Sequence, residues 1–265
     1  MTISVTLLGA TGWVGKELVK AIAAAPDLTL AAAMARQAAG RDAGEAAGGG
    51  AVGVTIVPTL EEALAIPSDV VIDYTAPTAV KGHTLAAIAA GRAVVVGTSG
   101  LTGEDYAEID GAARERGVGV LASGNYSITA ALMQRFALMA ARYVPDVEVI
   151  DYASAKKPDV PSGTAREMAE RLSAVRQDAT SKPIDTLIGP QEARGATVGR
   201  TQVHSLRLPG FVLSCEVLFG APDERLSIRH DAGSSAAPYV AGTLLAVRRV
   251  REQAGLRRGL DTLLD

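Results

Sequence analysis

The sequence predicts an α/β chain in two parts: a doubly wound parallel sheet, and a central α+β domain with a mixed or antiparallel sheet. Three observations predict it. Strand-like and helix-like stretches alternate through residues 1–124, and the strands are continuous apolar runs, as in a sheet covered on both faces. A cluster of glycines separates the first strand from the first helix. Beyond residue 125, strand-like stretches follow one another with little helix between them, the pattern of antiparallel pairing.

The elements follow in order. "ISVTLLG" is a short β-rich run, and "KELVKAIAAAP" has helical spacing that Pro26 stops. "LTLAAAM" reads as a second strand. The stretch "RQAAGRDAGEAAGGG" reads as a loop, because Gly48, Gly49 and Gly50 are costly to hold in a helix. "DVVIDYT" is an apolar strand with polar residues at its end. Pro77 then opens a helix that stops at Gly91. "RAVVVGTSG" is the next strand, Thr102 with Asp105 a capping box, and Gly117 a helix stop before the strand "GVGVLASG". A long helix, "ITAALMQRFALMAARYV", precedes the strand "DVEVIDYAS" and the helix "SGTAREMAERLSAVR". The strands "TQVHSLRL", "FVLSCEVLFG" and "RLSIRHDA" come next, with Pro209-Gly210 as a type II turn. The last helix, "YVAGTLLAVRRVREQAG", fits either part.

Composition narrows the function. The 265 residues are 48% hydrophobic and 21% charged, ordinary for a soluble globular protein. A formal charge of −3 is not that of a general nucleic-acid binder. One cysteine, Cys215, permits no internal disulfide and no multi-cysteine metal site, and three scattered histidines make none either. No signal peptide and no membrane span are read, so a cytoplasmic protein is the expectation.

The segment "GATGWVG" places Gly9, Gly12 and Gly15 between strand and helix, with Thr11, Trp13 and Val14 among them. Such glycines allow a tight turn and close approach of a pyrophosphate to the helix N-terminus, where unpaired N–H groups and the dipole favour an anion. The loop is therefore the candidate cradle of a dinucleotide in a Rossmann-type domain. The residue closing the second strand selects the cofactor. An acid there would bond a ribose 2′-hydroxyl, and an arginine accommodates a 2′-phosphate. The strand ends in Met34-Ala35-Arg36-Gln37, so NADPH is favoured, NADH being possible; the alternative is that Arg36 is a solvated loop residue. Asp73, Tyr74 and Thr75, and Gly97, Thr98 and Ser99, end later strands and are candidates for ribose and nicotinamide contacts.

"GATGWVG", "DYTAP", "VVGTSG", "SGNYS" and "KKPDVPSGTA" stand in the order and spacing of the 4-hydroxy-tetrahydrodipicolinate reductase (dihydrodipicolinate reductase) family, which the chain resembles over nearly its whole length. The resemblance implies a Rossmann domain of residues 1–124 completed by 236–265, and a substrate-binding and tetramer-forming domain of 125–235. It implies reduction of a cyclic imine dicarboxylate with NAD(P)H in the diaminopimelate route to lysine. It also puts Gly124, Asn125 and Tyr126, with Gly97 and Thr98, at the nicotinamide end of the cofactor. Ser162, Gly163 and Thr164 would hold a substrate carboxylate, and Lys157 would touch substrate or protonate it. Where the family has two adjacent histidines, one of them its general acid, this chain has Ala153 and Ser154.

Reduction of an imine needs a proton as well as a hydride, and a positioned acid contributes about 10²–10⁴-fold. Lys157 is the first candidate donor and Lys156 the second, with a solvated loop lysine as the plainer reading. Ser154 is a candidate substrate contact. His204 would face either a cleft or the core, His230 is read as structural, and His83 as a surface or interdomain residue. Ser162-Gly163-Thr164 is read as an anion grip, against a helix cap without ligand; only the resemblance selects carboxylate over phosphate. The leading expectation is an NADPH-dependent reductase of a small anionic substrate. A divergent relative with another carboxylated substrate, and a non-enzymatic NADPH sensor, are the alternatives.

Overall fold

In a computed structural model, which describes Thr2–Leu264, the chain divides into two units, Met1–Ile128 with Ala236–Asp265 and Thr129–Ser235. The chain opens with β1 (Ile3–Leu8), α1 (Trp13–Ala24), β2 (Leu28–Met34), α2 (Ala43–Ala46), β3 (Ile56–Val57) and α3 (Leu60–Ala65). It continues through β4 (Val70–Asp73), α4 (Val80–Ala89), β5 (Ala93–Val96), α5 (Gly103–Arg116) and β6 (Gly119–Ala122). The second unit carries α6 (Ile128–Ala140), β7 (Asp146–Ala153), α7 (Gly163–Val175), β8 (Ala196–Val198), β9 (Thr201–Arg207), β10 (Leu213–Ala221) and β11 (Glu224–Ala232). Then α8 (Ala237–Arg249) and β12 (Gly255–Arg258) return to the first.

The first sheet has the order β12-β6-β5-β4-β1-β2-β3, and its pairings are parallel. After β1 the chain winds one way through β2 and β3, and from β4 it winds the other. The crevice beyond the carboxyl ends of β1 and β4 is thus the switch point, where such sheets take ligands. Every residue of β4, β5 and β6 is buried, which explains their unbroken apolar runs.

Three details differ from expectation. The glycine-rich stretch is not all loop: Arg36–Ala38 form a 3₁₀ turn, and Asp42 caps the short α2 through the amides of Gly44 and Glu45. Asp42 also accepts from Val52 and Gly53, so one carboxylate organises the whole segment. Pro77 does not open α4. A turn closing from Ala79 N–H to the Ala76 carbonyl delays the helix to Val80. β12 was not expected at all: "GLRR" has one apolar side chain and is held at the sheet edge by backbone pairing with β6. The Thr102–Asp105 capping box and the left-handed Gly117 (φ 73°) are as expected.

The second sheet, β11-β10-β7-β9-β8, is antiparallel except for the parallel β7–β9 pair, hence mixed. Alternation along β7 buries Val147, Val149, Asp151 and Ala153 on one face. That face joins Val217 and Phe219 of β10 and packs on Met133 and Ala137 of α6 and Met168, Ala169 and Leu172 of α7. Asp151 carries a carboxylate into it, and the candidate site grows from that carboxylate.

Candidate functional site

In the first unit, a cleft of about 760 Å³ is lined by Gly9, Thr11, Gly12, Arg36, Thr75 and His83, among others. Gly9 has φ 86°, and a Cβ there would collide with the Tyr74 carbonyl. A Cβ on Gly15 would strike the Gly9 carbonyl in the same way. Gly12 is the cap residue of α1, and no side chain caps that helix. The start of α1 is therefore a backbone cradle open to an anion. It fits the pyrophosphate of a dinucleotide. Val14 is buried, so only its backbone can take part, while Trp13 is exposed and meets the Tyr239 ring edge-on at 5.5 Å. Arg36 stands exposed in its 3₁₀ turn on the cleft wall.

Asp73 is fully buried, so its carboxylate organises the cleft from beneath. Oδ1 accepts from the Thr75 amide (3.0 Å), the Thr75 hydroxyl (2.8 Å) and the Thr98 hydroxyl (2.6 Å). Oδ2 meets His83 Nδ1 at 2.8 Å. Burial pushes this carboxyl up, but the bonds from His83, Thr98 and Thr75 outweigh it and hold the group below the ordinary carboxylate range. Tyr74 packs its ring where a Gly97 side chain would be and shares a hydrogen bond with Thr243 (2.8 Å). Tyr126 is also buried, and its hydroxyl donates to the Val96 and Leu121 carbonyls. Asn125 is buried and accepts from the Ser127 amide, whereas Ser99 and Gly124 are exposed. Of these, Tyr74 lines the cleft, Asp73 braces the Thr75 and His83 side of it, and Tyr126 meets the Tyr74 ring edge-on at 6.0 Å. His83 was missed: it stands one turn into α4, facing back to the strand end, not on an outer surface. An imidazole ten residues after a strand-terminal aspartate was the available signal.

In the second unit, the loop from Ser154 to Ser162 is fixed at both ends. At its start the Ser154 amide donates to Val212 (3.2 Å), and the Ser154 carbonyl accepts from Lys157 (2.9 Å). At its end Ser162 caps α7 by accepting from the Ala165 amide, and donates its own amide (2.8 Å) and hydroxyl (2.7 Å) to Asp151. Arg207 completes the anchor. It donates to the Asp151 carboxylate (2.8 Å) and to the Asp159 carbonyl (2.7 Å), and Ser205 adds a third side-chain donor to Asp151 (3.2 Å). Between the anchors Lys157 Nζ meets Asp159 Oδ1 at 2.8 Å and stays partly exposed, and Lys156 is exposed. Gly163 and Thr164 form the first turn of α7.

Ser162, with Gly163 and Thr164, was expected to hold an anion through hydroxyls and helix-start amides. The Ser162 hydroxyl is buried and already given to Asp151, so the backbone turn it braces is what remains to offer. Arg207 was also missed, because nothing near it in sequence hints at Asp151. Ala153 is fully buried and lies opposite Arg207 in the β7–β9 register. His204 bonds Glu148 (2.7 Å) on the face of the sheet opposite Asp151, and so does not face the core. His230 lies opposite Cys215, and burial lowers its pKa. Among the described residues no cluster of His, Cys, Asp or Glu could hold a metal, and no helix is long and apolar enough to cross a membrane.

The family model for the dihydrodipicolinate reductase N-terminus matches residues 3–126, and that for its C-terminus matches 129–264. The chain belongs to the dihydrodipicolinate reductase family. The 4-hydroxy-tetrahydrodipicolinate reductase of Synechococcus elongatus is 40% identical over 271 residues, covering 99% of this chain and 98% of its own. That of a Mycobacterium species (strain KMS) is 40% identical over 262 residues, covering 98% of each. The dipicolinate-bound dihydrodipicolinate reductase of Paenisporosarcina sp. TG-14 superposes with TM-score 0.78 at 30% identity over 100% of both chains. An amine dehydrogenase of Mycobacterium smegmatis, 16% identical with TM-score 0.66 over 97% of this chain and 95% of its own, shares the fold alone. Dihydrodipicolinate reductases are NAD(P)H-dependent oxidoreductases.

Proposed function

We propose that the protein reduces a small cyclic imine dicarboxylate, 4-hydroxy-tetrahydrodipicolinate to tetrahydrodipicolinate in lysine and diaminopimelate biosynthesis, preferring NADPH to NADH. The observation that carries this reading is the doubly anchored loop that holds Lys157 just ahead of the start of α7. The named activity of the full-length relatives supplies the substrate.

The nicotinamide cofactor, when bound, supplies the hydride. Lys157 supplies the proton from Nζ, oriented by Asp159, with Lys156 as the second donor, and the substrate's 4-hydroxyl leaves as water, which balances the conversion to tetrahydrodipicolinate. Ser154, Gly163 and Thr164 hold a substrate carboxylate, and Ser162 shapes their turn through Asp151. Arg36 meets the 2′-phosphate. Gly9, Thr11, Gly12, Trp13, Val14 and Gly15 surround the pyrophosphate, and Thr75, Gly97, Thr98, Ser99, Gly124 and Asn125 shape the nicotinamide end. The working form is a homo-oligomer in the cytoplasm.

Ala153 and Ser154 favour a second reading, a divergent member reducing or oxidising another small carboxylated imine, carbonyl or hydroxy acid. A steady-state assay with freshly generated 4-hydroxy-tetrahydrodipicolinate separates the two. Saturable turnover with NADPH is expected. Turnover at background, with NADPH bound, would move the assignment to the second reading.

A further inference from the structure

Pro158, Asp159, Val160 and Pro161 carry the chain from Lys157 to the cap of α7. Two of the four are prolines and have no N–H, so the stretch has few donors with which to fix itself. Among the described residues one hydrogen bond ties it to the rest of the unit: Arg207 Nη2 donates to the Asp159 carbonyl at 2.7 Å. The same nitrogen donates to Asp151 Oδ2 at 2.8 Å, and Nη1 donates to the Leu206 carbonyl at 3.0 Å. The Arg207 side chain is nearly buried and that of Asp151 fully so. A planar guanidinium tied to a carboxylate and to two separate carbonyls has little freedom to turn. The Asp159 peptide is therefore held in place, and its carboxylate meets Lys157 Nζ at 2.8 Å. Asp151, Arg207, Asp159 and Lys157 form one continuous chain of contacts.

We infer that Arg207 is a positioning residue for Lys157: by holding the Asp159 peptide it fixes the carboxylate that aims Nζ, and so sets the rate of proton transfer without touching substrate. This rests on the reading of Lys157 as the proton donor. Arg207 has a second, purely structural task, as the counter-charge of buried Asp151. The two tasks separate on substitution. Lysine at 207 keeps the positive charge for Asp151, but as a single point charge it lacks the planar fork that binds the Leu206 and Asp159 carbonyls together. A structural role alone is met by lysine; the positioning role is not.

The test is a double-mutant cycle on the full chain, with NADPH and 4-hydroxy-tetrahydrodipicolinate, over wild type, Arg207→Lys, Lys157→Ala and the two combined. Arg207→Lys is expected to lower kcat by about 10–10²-fold, the effect of misplacing a reacting group by about 1 Å, and to leave the KM for NADPH unchanged. In the Lys157→Ala background the same substitution is expected to cost no further kcat, because the group it aims is gone. If Arg207→Lys melts well below wild type, Asp151→Asn with Arg207→Gln replaces it in the cycle, removing both buried charges together. A substrate-free readout is tryptic cleavage between Lys156 and Lys157, expected to be about tenfold faster once the loop is released. An unchanged kcat, an equal loss with and without Lys157, or an unchanged cleavage rate would each overturn the inference. A wild-type kcat in Lys157→Ala would instead remove Lys157 as the donor, and no turnover by wild type would remove the substrate reading.

Discussion

Ser162 gives both its amide and its hydroxyl to the carboxylate of Asp151, at 2.8 and 2.7 Å, and both residues are buried. A helix cap and a strand are thereby joined eleven residues apart, and the lysine loop is strung between them. Ser162→Ala is expected to cost about 1–2 kcal/mol of stability, through the lost cap and the unsatisfied carboxylate. Urea unfolding checks it. A raised KM at unchanged stability would instead put the hydroxyl on the ligand. Asp151→Ala leaves Arg207 with no counter-charge and is expected to cost about 3–5 kcal/mol.

Lys157→Ala is expected to lower kcat by about 10²–10⁴-fold while leaving NADP⁺ affinity by calorimetry within error. An unchanged kcat would remove Lys157 from proton transfer. Asp159→Asn frees Nζ from its partner and is expected to give a smaller loss.

Arg36→Ala is expected to weaken NADPH by about tenfold, the worth of one charge-assisted contact, and to spare NADH. Fluorescence of the single tryptophan, Trp13 at the start of α1, offers the titration signal. Equal losses for both cofactors would rule out a 2′-phosphate role.

Asp73 links stability to acid. Burial raises its carboxyl and the His83, Thr98 and Thr75 bonds more than compensate, leaving the folded-state value depressed. Such a group stabilises fully above its unfolded value, about 3.9, and the gain drains as pH falls through the folded value. The advantage of wild type over Asp73→Asn in unfolding free energy is therefore expected to be greatest near neutrality and to shrink below about pH 4. A difference that stayed constant from pH 7 to pH 3 would contradict this.

Cys215 is 2% exposed, and burial, with Asp151 and Glu216 nearby, pushes its thiol up to about 12. Because only the thiolate reacts, alkylation at pH 8 is expected to be at least about 10³-fold slower in the native chain than in urea. Native labelling at the unfolded rate would mean the β10 face is open.

The parts legible in the sequence were those whose demands are local. Gly9 needs a positive φ and Gly15 a close backbone approach, so the cradle could be read from "GATGWVG". β4, β5 and β6 are buried on both faces and announce themselves as apolar runs. β12 did not, because an edge strand held by backbone bonds needs few apolar side chains. "SGTA" announced the helix start, but nothing in it announced that Ser162 gives its hydroxyl to Asp151.

The sequence by itself determined the two-part α/β plan, the glycine loop at the start of α1 and the lysine loop ahead of α7. Only the tertiary structure decided that Ser162 and Arg207 converge on Asp151, and that His83 turns back to Asp73. The physical reason is that strand periodicity, caps and glycine turns are set by neighbouring residues. The partner of a buried polar group is set by the register of strands far apart in the chain. "KKPDVPSGTA" shows where an anion would meet the helix, and the β7–β9 pairing decides which of its side chains are already taken.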